Sequence, residues 1–263
     1  MKEFFGFGGY QRPAEGYFSK EHLIFVSILM VLMVGFAAFL GLKNRGKDEK
    51  TKNTVLIVTA ITVDALEIFK IVMTCIRSGD ALSWVYMLPL FLCGIQLITI
   101  PLAAFSKGRI REASLDFVFI FGVLGAVLGT YFAGQNYSSY PVLSLDNVFS
   151  GLTHAISGFA ALYIAFAGMQ SMKKKNIPIS IAIVSAFCVL AYAANLLLDY
   201  NYMFLMRGDG TPYDIIYNLV SGNAILYPII VVLLFMAYIA AFYGIYYLIS
   251  TKLKKKPAEQ AEE

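Results

Sequence analysis

Residues 84–105 read WVYMLPLFLCGIQLITIPLAAF and contain no charged residue. An uncharged, apolar run of this length predicts a helix that crosses a bilayer. Pro89, Cys93 and Gln96 recur within it at helical spacing, which predicts that they share one face. A proline inside a helix frees a carbonyl one turn earlier, here that of Val85, and bends the helix. The sequence therefore predicts a thiol beside a distorted, polar-lined stretch of a transmembrane helix.

The composition of the whole chain is that of a polytopic membrane protein. Of its 263 residues, 59% are hydrophobic and 14% are charged, and the mean hydropathy is +0.68, which excludes an ordinary soluble domain. The first 18 residues are mixed and aromatic, unlike a cleavable signal peptide, so we expect the first helix to remain in the protein. The cysteines are too scattered for a disulfide framework or a metal site, and no nucleotide-binding or zinc-protease motif is present. We therefore expect no metal, no cofactor and no nucleic-acid partner.

The apolar segments predict an all-α bundle of seven transmembrane helices, because each can hydrogen-bond its own backbone within lipid. The predicted spans are Glu21–Leu42, Asn53–Ile76, Trp84–Phe105, Ala113–Ala133, Asn147–Met169, Ile177–Leu198 and Ile225–Ile249.

The distribution of basic residues predicts the orientation of the bundle. Most of the 21 lysines and arginines follow the first, third, fifth and seventh spans, at positions 43–52, 107–111, 173–175 and 252–256. Positively charged loops stay in the cytoplasm, so the N-terminus is predicted to lie outside and the C-terminus inside. This gives a short extracytoplasmic segment over 1–20, a transmembrane domain over 21–250 and a charged cytoplasmic tail over 251–263.

Three charged residues interrupt the second span. Asp64, Glu67 and Lys70 follow one another at intervals of three and so lie along one side of a helix. An ionisable group in a membrane is costly and is functional by default, so these side chains are expected to face the bundle interior or water. They predict either an ion or proton pathway or a Glu67–Lys70 pair that only neutralises itself.

A second polar feature lies in the third and fifth spans. Cys93 is roughly 14 Å below the outer end of its span, and His154 is roughly 10 Å below the outer end of its own, so the two can meet if their helices are neighbours. A histidine that takes the proton of a thiol creates a nucleophile suited to acyl transfer, whereas a buried cysteine without a base is inert. Asn195 and Asp199 reach the same level, and an amide such as Asn195 or Asn201 is a candidate for holding the imidazole or an oxyanion.

Three segments carry a resemblance to a known family: LPLFLC at 88–93, the isolated His154, and NYMFL at 201–205. In this combination the chain resembles the YwaF family of bacterial integral membrane proteins, which is related to the eukaryotic transmembrane protein 164. The resemblance implies a multi-pass lipid acyltransferase of the bacterial plasma membrane, in which Cys93 and His154 correspond to the cysteine and histidine of the relative. It also implies that Asn201 and Tyr202, the NY pair, support the site.

Two classes of function follow. The first is an enzyme that transfers or hydrolyses the acyl group of a phospholipid or another acyl lipid through Cys93, His154 and the supporting Gln96. The second is a transporter, of a small molecule or coupled to protons, that uses the charged second span and Asp199. A non-catalytic membrane scaffold would need neither site.

Overall fold

The computed structural model describes the backbone of residues 2–259 and the side chains of residues 2–251, and helix is the only regular secondary structure in this part of the chain. The predicted charged tail falls mostly outside the described side chains. The chain divides into two compact units, Met1–Ser171 and Met172–Glu263.

The first unit is built around four long or medium helices and three shorter ones. Their bounds are α1 Lys2–Phe5, α2 Lys20–Asn44, α3 Glu49–Ser78, α4 Gln96–Phe105, α5 Gly108–Leu128, α6 Gly134–Ser139 and α7 Leu145–Phe166. Side-chain caps fix three of the starts. The Ser19 hydroxyl accepts from the amide of His22 at 3.2 Å, and Asp48 and Ser144 cap α3 and α7 in the same way.

The second unit contains three α-helices and two short 3₁₀ turns. The α-helices are α8 Ile177–Leu198, α9 Tyr213–Leu219 and α10 Leu226–Glu259. Pro178 lies in the first turn of α8, where its missing N–H costs nothing, and Asp199 ends the helix in a left-handed conformation with φ 48°.

Four helical segments are long and apolar enough to cross a membrane: Lys20–Asn44, Leu145–Phe166, Lys174–Leu198 and Leu226–Thr251. They confirm the first, fifth, sixth and seventh predicted spans as helices. The second and fourth predicted spans coincide with α3 and α5, which are helical but more polar. Seven crossings and the orientation of the termini stay predictions.

The prediction of one continuous helix over Trp84–Phe105 is wrong. A 3₁₀ helix covers Ala81–Met87, residues 88–95 form irregular turns, and α4 begins only at Gln96. Leu88 is extended, with φ −60° and ψ 148°, because a residue before proline is disfavoured in the helical region. Pro89 thus ends a helical turn and does not bend a longer helix, so the predicted kink over the Val85 carbonyl does not form.

Gly94 allows the chain to fold back on itself after Pro89. A Cβ atom on Gly94 would lie 3.0 Å from the Cα and carbonyl carbon of Pro89 and 3.2 Å from the carbonyl oxygen of Phe91. Backbone atoms cannot move aside as a flexible side chain can, so a side chain at this position would open the turn. The turn delivers Cys93 to the start of α4.

Small residues let α5 pack closely against α7. A Cβ atom on Gly122 of α5 would lie 2.7 Å from Cβ of Ala161 and 2.8 Å from the carbonyl oxygen of Ser157, both in α7. Close backbone approach through small residues is the usual way in which helices associate in membranes. Here Gly122 allows α5 to lie directly against the middle of α7.

An ion pair joins the end of α3 to the start of α7. Arg77 donates to both carboxylate oxygens of Asp146, at 2.6 and 2.9 Å, and the Tyr10 hydroxyl donates to the same carboxylate at 2.7 Å. Burial, together with the neighbouring carboxylate, raises the pKa of Tyr10, so its phenol stays protonated and can donate. This clasp ties the N-terminal segment to both helices.

Candidate active site

Cys93 lies in the last turns before α4 and is partly buried. Its carbonyl oxygen accepts from the amide of Gln96 at 3.2 Å, so the backbone around it already curls as a helix. The backbone amides of Cys93 and Gly94 favour negative charge on the Cys93 sulfur. Amide groups at the start of a helix stabilise negative charge, and a thiol in such a position forms its thiolate more readily.

His154 lies in α7, and one of its ring nitrogens is held by the backbone. Nδ1 lies 2.7 Å from the carbonyl oxygen of Ser150, one turn earlier. A carbonyl oxygen only accepts, so Nδ1 must carry the proton and donate it. In the neutral imidazole the other nitrogen, Nε2, is then an acceptor with a free lone pair, which is the form that a general base requires.

The side chains of Cys93 and His154 are close enough for the charge of each to act on the other. Because Nδ1 is engaged by Ser150, Nε2 is the ring nitrogen that is left to accept a proton from a thiol. Both side chains lie against α5 at glycines one turn apart. Cβ of Cys93 lies 3.5 Å from the position of a Cβ on Gly125, and the Cδ2–Nε2 edge of His154 lies directly over Gly129.

Gln96 is the first residue of α4, three residues after Cys93, and its side chain is completely buried. Its Oε1 accepts from the Thr99 hydroxyl at 3.2 Å, whereas its Nε2 has no hydrogen-bond partner among the described residues. A buried donor without a partner is uncommon in proteins because it has lost its bonds to water.

Glu67 and Lys70 of α3 form an ion pair, which is one of the two alternatives predicted for this charged segment. Lys70 Nζ lies 2.7 Å from Glu67 Oε1, and the two side chains are 15% and 14% exposed. Asp64 lies one turn earlier, and its Oδ1 is buried with no hydrogen-bond partner in the described part of the chain. The charge of Lys70 also acts on the imidazole of His154.

A comparison with protein-family models matches residues 17–249 of the chain to the TMEM164 family. The chain belongs to the TMEM164 family. The match covers Cys93, Gln96 and His154 and both compact units, and it agrees with the resemblance to transmembrane protein 164. Neither the curated proteins nor the solved structures contain a match to the chain.

The asparagines of the second unit are used locally in this TMEM164-family protein. Asn195 accepts from the amide of Tyr202 at 2.6 Å and donates to its carbonyl at 3.0 Å. Asn201 donates to the carbonyl of Arg207 and accepts from the amide of Met206. These bonds fix the loop after α8, and Tyr202 is completely buried within it.

The remaining predicted residue of the second unit, Asp199, is the exposed residue that ends α8. The sequence predicts that an amide such as Asn195 or Asn201 holds the imidazole. At Nδ1 of His154 the partner is instead the carbonyl oxygen of Ser150.

The two histidines of this TMEM164-family chain have different surroundings. His22 is fully buried, accepts at Nδ1 from the amide of Phe18, contacts the Thr130 carbonyl through Nε2, and stacks on Tyr137 at 3.8 Å. Both of its nitrogens are therefore bound by backbone. Only His154 has a ring nitrogen that faces a thiol.

Sequence reasoning missed the α5 side of the site. Gly125 and Gly129 are four residues apart, and this small-xxx-small spacing is a recognised signal for close packing in membranes. This spacing indicates a groove on α5. It does not indicate that Cys93 and His154 occupy the groove.

Proposed function

We propose that this TMEM164-family membrane protein transfers or hydrolyses the acyl group of a lipid ester through a thioester on Cys93. The proposal is supported above all by the proximity of the thiol to His154, whose tautomer is fixed by the Ser150 carbonyl. A cysteine with a positioned base is the arrangement needed for nucleophilic attack on an ester.

The first half-reaction transfers the acyl group to the enzyme. His154 Nε2 takes the thiol proton as the sulfur attacks the carbonyl carbon, and the carbonyl electron pair moves onto the oxygen. When the C=O bond re-forms, the ester C–O bond breaks, and the leaving alkoxide takes the proton from His154. The products are a Cys93 thioester and a lipid alcohol.

The second half-reaction returns the enzyme to its starting state. His154 removes a proton from an acceptor hydroxyl, either of a second lipid or of water, and the acceptor oxygen attacks the thioester carbon. The C–S bond breaks, and the proton on His154 returns to the sulfur. The acceptor decides between transfer and hydrolysis, while the residues that act are the same.

The test is labelling of the purified protein in lipid with a long-chain activated ester. Cys75 and Cys188 are replaced by serine, so that Cys93 is the remaining thiol. We expect stoichiometric acylation of Cys93, no acylation of Cys93→Ala, and a rate roughly 10²–10⁴-fold lower in His154→Ala. His22→Ala is the matched histidine control and should retain the labelling rate.

The reactivity of Cys93 needs its own reference. Cys75 is also partly buried. Its sulfur lies 3.9 Å from the carbonyl oxygen of Ala81, and no hydrogen bond to a histidine is seen for it among the described residues. A chain with Cys75 as the remaining thiol supplies the rate of an unactivated cysteine in the same protein. Equal rates for Cys93 and Cys75 would refute the proposal.

A carrier is the second candidate function, and the buried Oδ1 of Asp64 without a partner favours it. An intramembrane carboxyl group of this kind can bind a proton or a cation. A carrier would need Asp64 and tolerate Cys93→Ala, whereas the enzyme requires the thiol. Proton flux into liposomes that contain Asp64→Asn or Cys93→Ala separates the two functions.

We also propose that the protein lies in the bacterial plasma membrane with its N-terminus outside. The bacterial plasma membrane is taken from the resemblance to the YwaF family. The orientation rests on the basic residues at 43–52, 107–111 and 173–175, which share one side of a seven-span arrangement. Reporter fusions after residues 48, 107 and 172 should all report the cytoplasm. A reporter on the opposite side at any of these points would overturn the arrangement.

A further inference from the structure

Gln96 is a buried amide that the protein satisfies on one side only. Its side chain is 0% exposed, and its Oε1 shares the single proton of the Thr99 hydroxyl with the Ile95 carbonyl, each at 3.2 Å. Its Nε2, which carries two N–H donors, has no acceptor among the described residues. The amides of Asn195 and Asn201 differ, because each both donates and accepts within its own loop.

The backbone between Cys93 and Ile98 places the Gln96 side chain over Cys93. Successive carbonyls accept from the amide three residues later: Cys93 from Gln96, Gly94 from Leu97 and Ile95 from Ile98, at 3.2, 3.0 and 3.0 Å. This is the hydrogen-bond pattern of a 3₁₀ helix, in which side chains at positions i and i+3 eclipse one another. The side chain of Gln96 is therefore expected on the same side of the turn as that of Cys93, one turn further along the chain.

We propose that Gln96 Nε2 donates a hydrogen bond to the oxyanion that forms when Cys93 attacks an ester carbonyl. The inference rests on the proposed acyl transfer. When the C–S bond forms, the carbonyl electron pair moves onto an oxygen two bonds from the sulfur, and a side chain one turn along from Cys93 is the nearest candidate to meet it. When the C=O bond re-forms and the ester C–O bond breaks, the oxygen becomes neutral and the hydrogen bond weakens.

The amide of Gly94 completes the pair of donors. It follows Cys93 directly along the chain and favours negative charge on the Cys93 side chain. Two fixed donors in a site with little water are the usual means of stabilising an oxyanion, because no reorientation is needed as the charge forms. Thr99 is a positioning residue, since its bond to Oε1 turns the NH₂ group of Gln96 away from itself.

Two chemical probes separate an oxyanion donor from a residue that merely supports the fold. Iodoacetamide alkylates a thiolate by displacing iodide from an sp³ carbon, so no oxyanion forms. 4-Nitrophenyl octanoate acylates the same thiolate through a tetrahedral intermediate and releases 4-nitrophenolate. Both rates depend on the Cys93–His154 pair, whereas only the second depends on a donor for the oxyanion.

The variants are compared in lipid on the background that carries Cys93 as the remaining thiol. Gln96→Met keeps the length and burial of the side chain and removes its donors. We expect its acylation rate by the ester to fall roughly 10²–10³-fold and its alkylation rate to stay within about threefold of the parent. His154→Ala should lower both rates together.

Thr99→Val is the second variant, for use if Gln96→Met does not fold. It leaves the Gln96 amide in place and removes the bond that orients it, so acylation should fall roughly tenfold with alkylation unchanged. Equal changes in both rates for Gln96→Met and Thr99→Val, or no change in either, would overturn the role of Gln96.

Failure of the underlying function gives a different result. If Cys93 of the parent chain is alkylated no faster than Cys75 in the chain where Cys75 is the remaining thiol, the activated nucleophile itself is refuted. A different outcome refutes only the role of Gln96 as oxyanion donor. In that outcome Cys93 of the parent is alkylated by iodoacetamide faster than Cys75, and Gln96→Met is acylated by the ester at the parental rate.

Discussion

Gly129→Ala should abolish the activation of Cys93 while leaving the fold intact. A methyl group at this position would lie 2.7 Å from Cγ of His154, and closer still to Cδ2 and Nε2. Gly129 follows the last turn of α5 with φ −78° and ψ −2°, a conformation that alanine adopts without strain. The substitution therefore acts on the imidazole and not on the backbone that carries it.

The size of the effect follows from the displacement. Ordinary van der Waals contact begins at about 3.4 Å, so the ring must retreat by an ångström or more. A shift of that size prevents Nε2 from accepting the proton of the thiol, because hydrogen bonds weaken steeply beyond their normal distances. Loss of a positioned base costs roughly 10²–10⁴-fold in rate, and we expect the alkylation and acylation of Cys93 to fall by that factor.

Gly125→Ala is the matched control for this prediction. It lies one turn earlier on α5, and its methyl group would rest 3.5 Å from Cβ of Cys93, which is ordinary contact. We expect it to label at the parental rate and to unfold at the parental temperature. Parental labelling by a folded Gly129→Ala protein would refute the geometry on which the proposed function rests.

Three further substitutions test the fold around the site through thermal and chemical unfolding in detergent. Asp146→Asn removes the charge that binds both Arg77 nitrogens, and it should lower the free energy of unfolding by about 2 kcal/mol and expose the N-terminal segment to proteolysis. Asp116→Asn should cost about 1–3 kcal/mol, because the fully buried carboxylate accepts from both the amide and the hydroxyl of Ser171, at 2.8 and 2.9 Å. Asp48→Ala removes the cap of α3. Hydrogen bonds from Thr51 hold the pKa of Asp48 below its usual range in the folded protein. The contribution of the ionised carboxylate to the free energy of unfolding is therefore complete above about pH 4, and it is lost as the pH falls through the lowered pKa of the folded state. The stability difference between the parent and Asp48→Ala should therefore become smaller on acidification, and a difference that does not change with pH would contradict this assignment.

The sequence is sufficient to predict the four long apolar helices, because length and apolarity alone decide whether a segment can satisfy its backbone in lipid. The predicted Ile177–Leu198 coincides with α8, and Glu21–Leu42 lies within α2. Composition does not report whether such a run stays helical, however. Residues 84–105 have the apolarity of a helix, and the effects of Pro89 and Gly94 on the backbone decide that they are not one.

The site was predictable in part for the same reason. Cys93 and His154 were identified as candidates by residue chemistry and depth, and these do not depend on the exact path of the third segment. Gln96 was placed beside Cys93 by helical spacing, and the 3₁₀ turn preserves that neighbourhood even though the long helix is absent. The glycines of α5 and the Ser150 carbonyl could not be identified, because their roles depend on which helices touch and on the backbone alone.

The break in residues 88–95 also bears on the acyl chemistry that we propose for Cys93. In an unbroken transmembrane helix the amides of Cys93 and Gly94 would donate to carbonyls one turn earlier and could not face the sulfur. Irregular backbone at membrane depth is tolerated only where protein or water satisfies it. Here the protein supplies that cover, since the turns pack on α5 at Gly125 and the pair of side chains lies between α5 and α7. The backbone feature that defeats the helix prediction thus provides donors for the negative charge that the proposed reaction creates, first on the sulfur and then on the oxyanion.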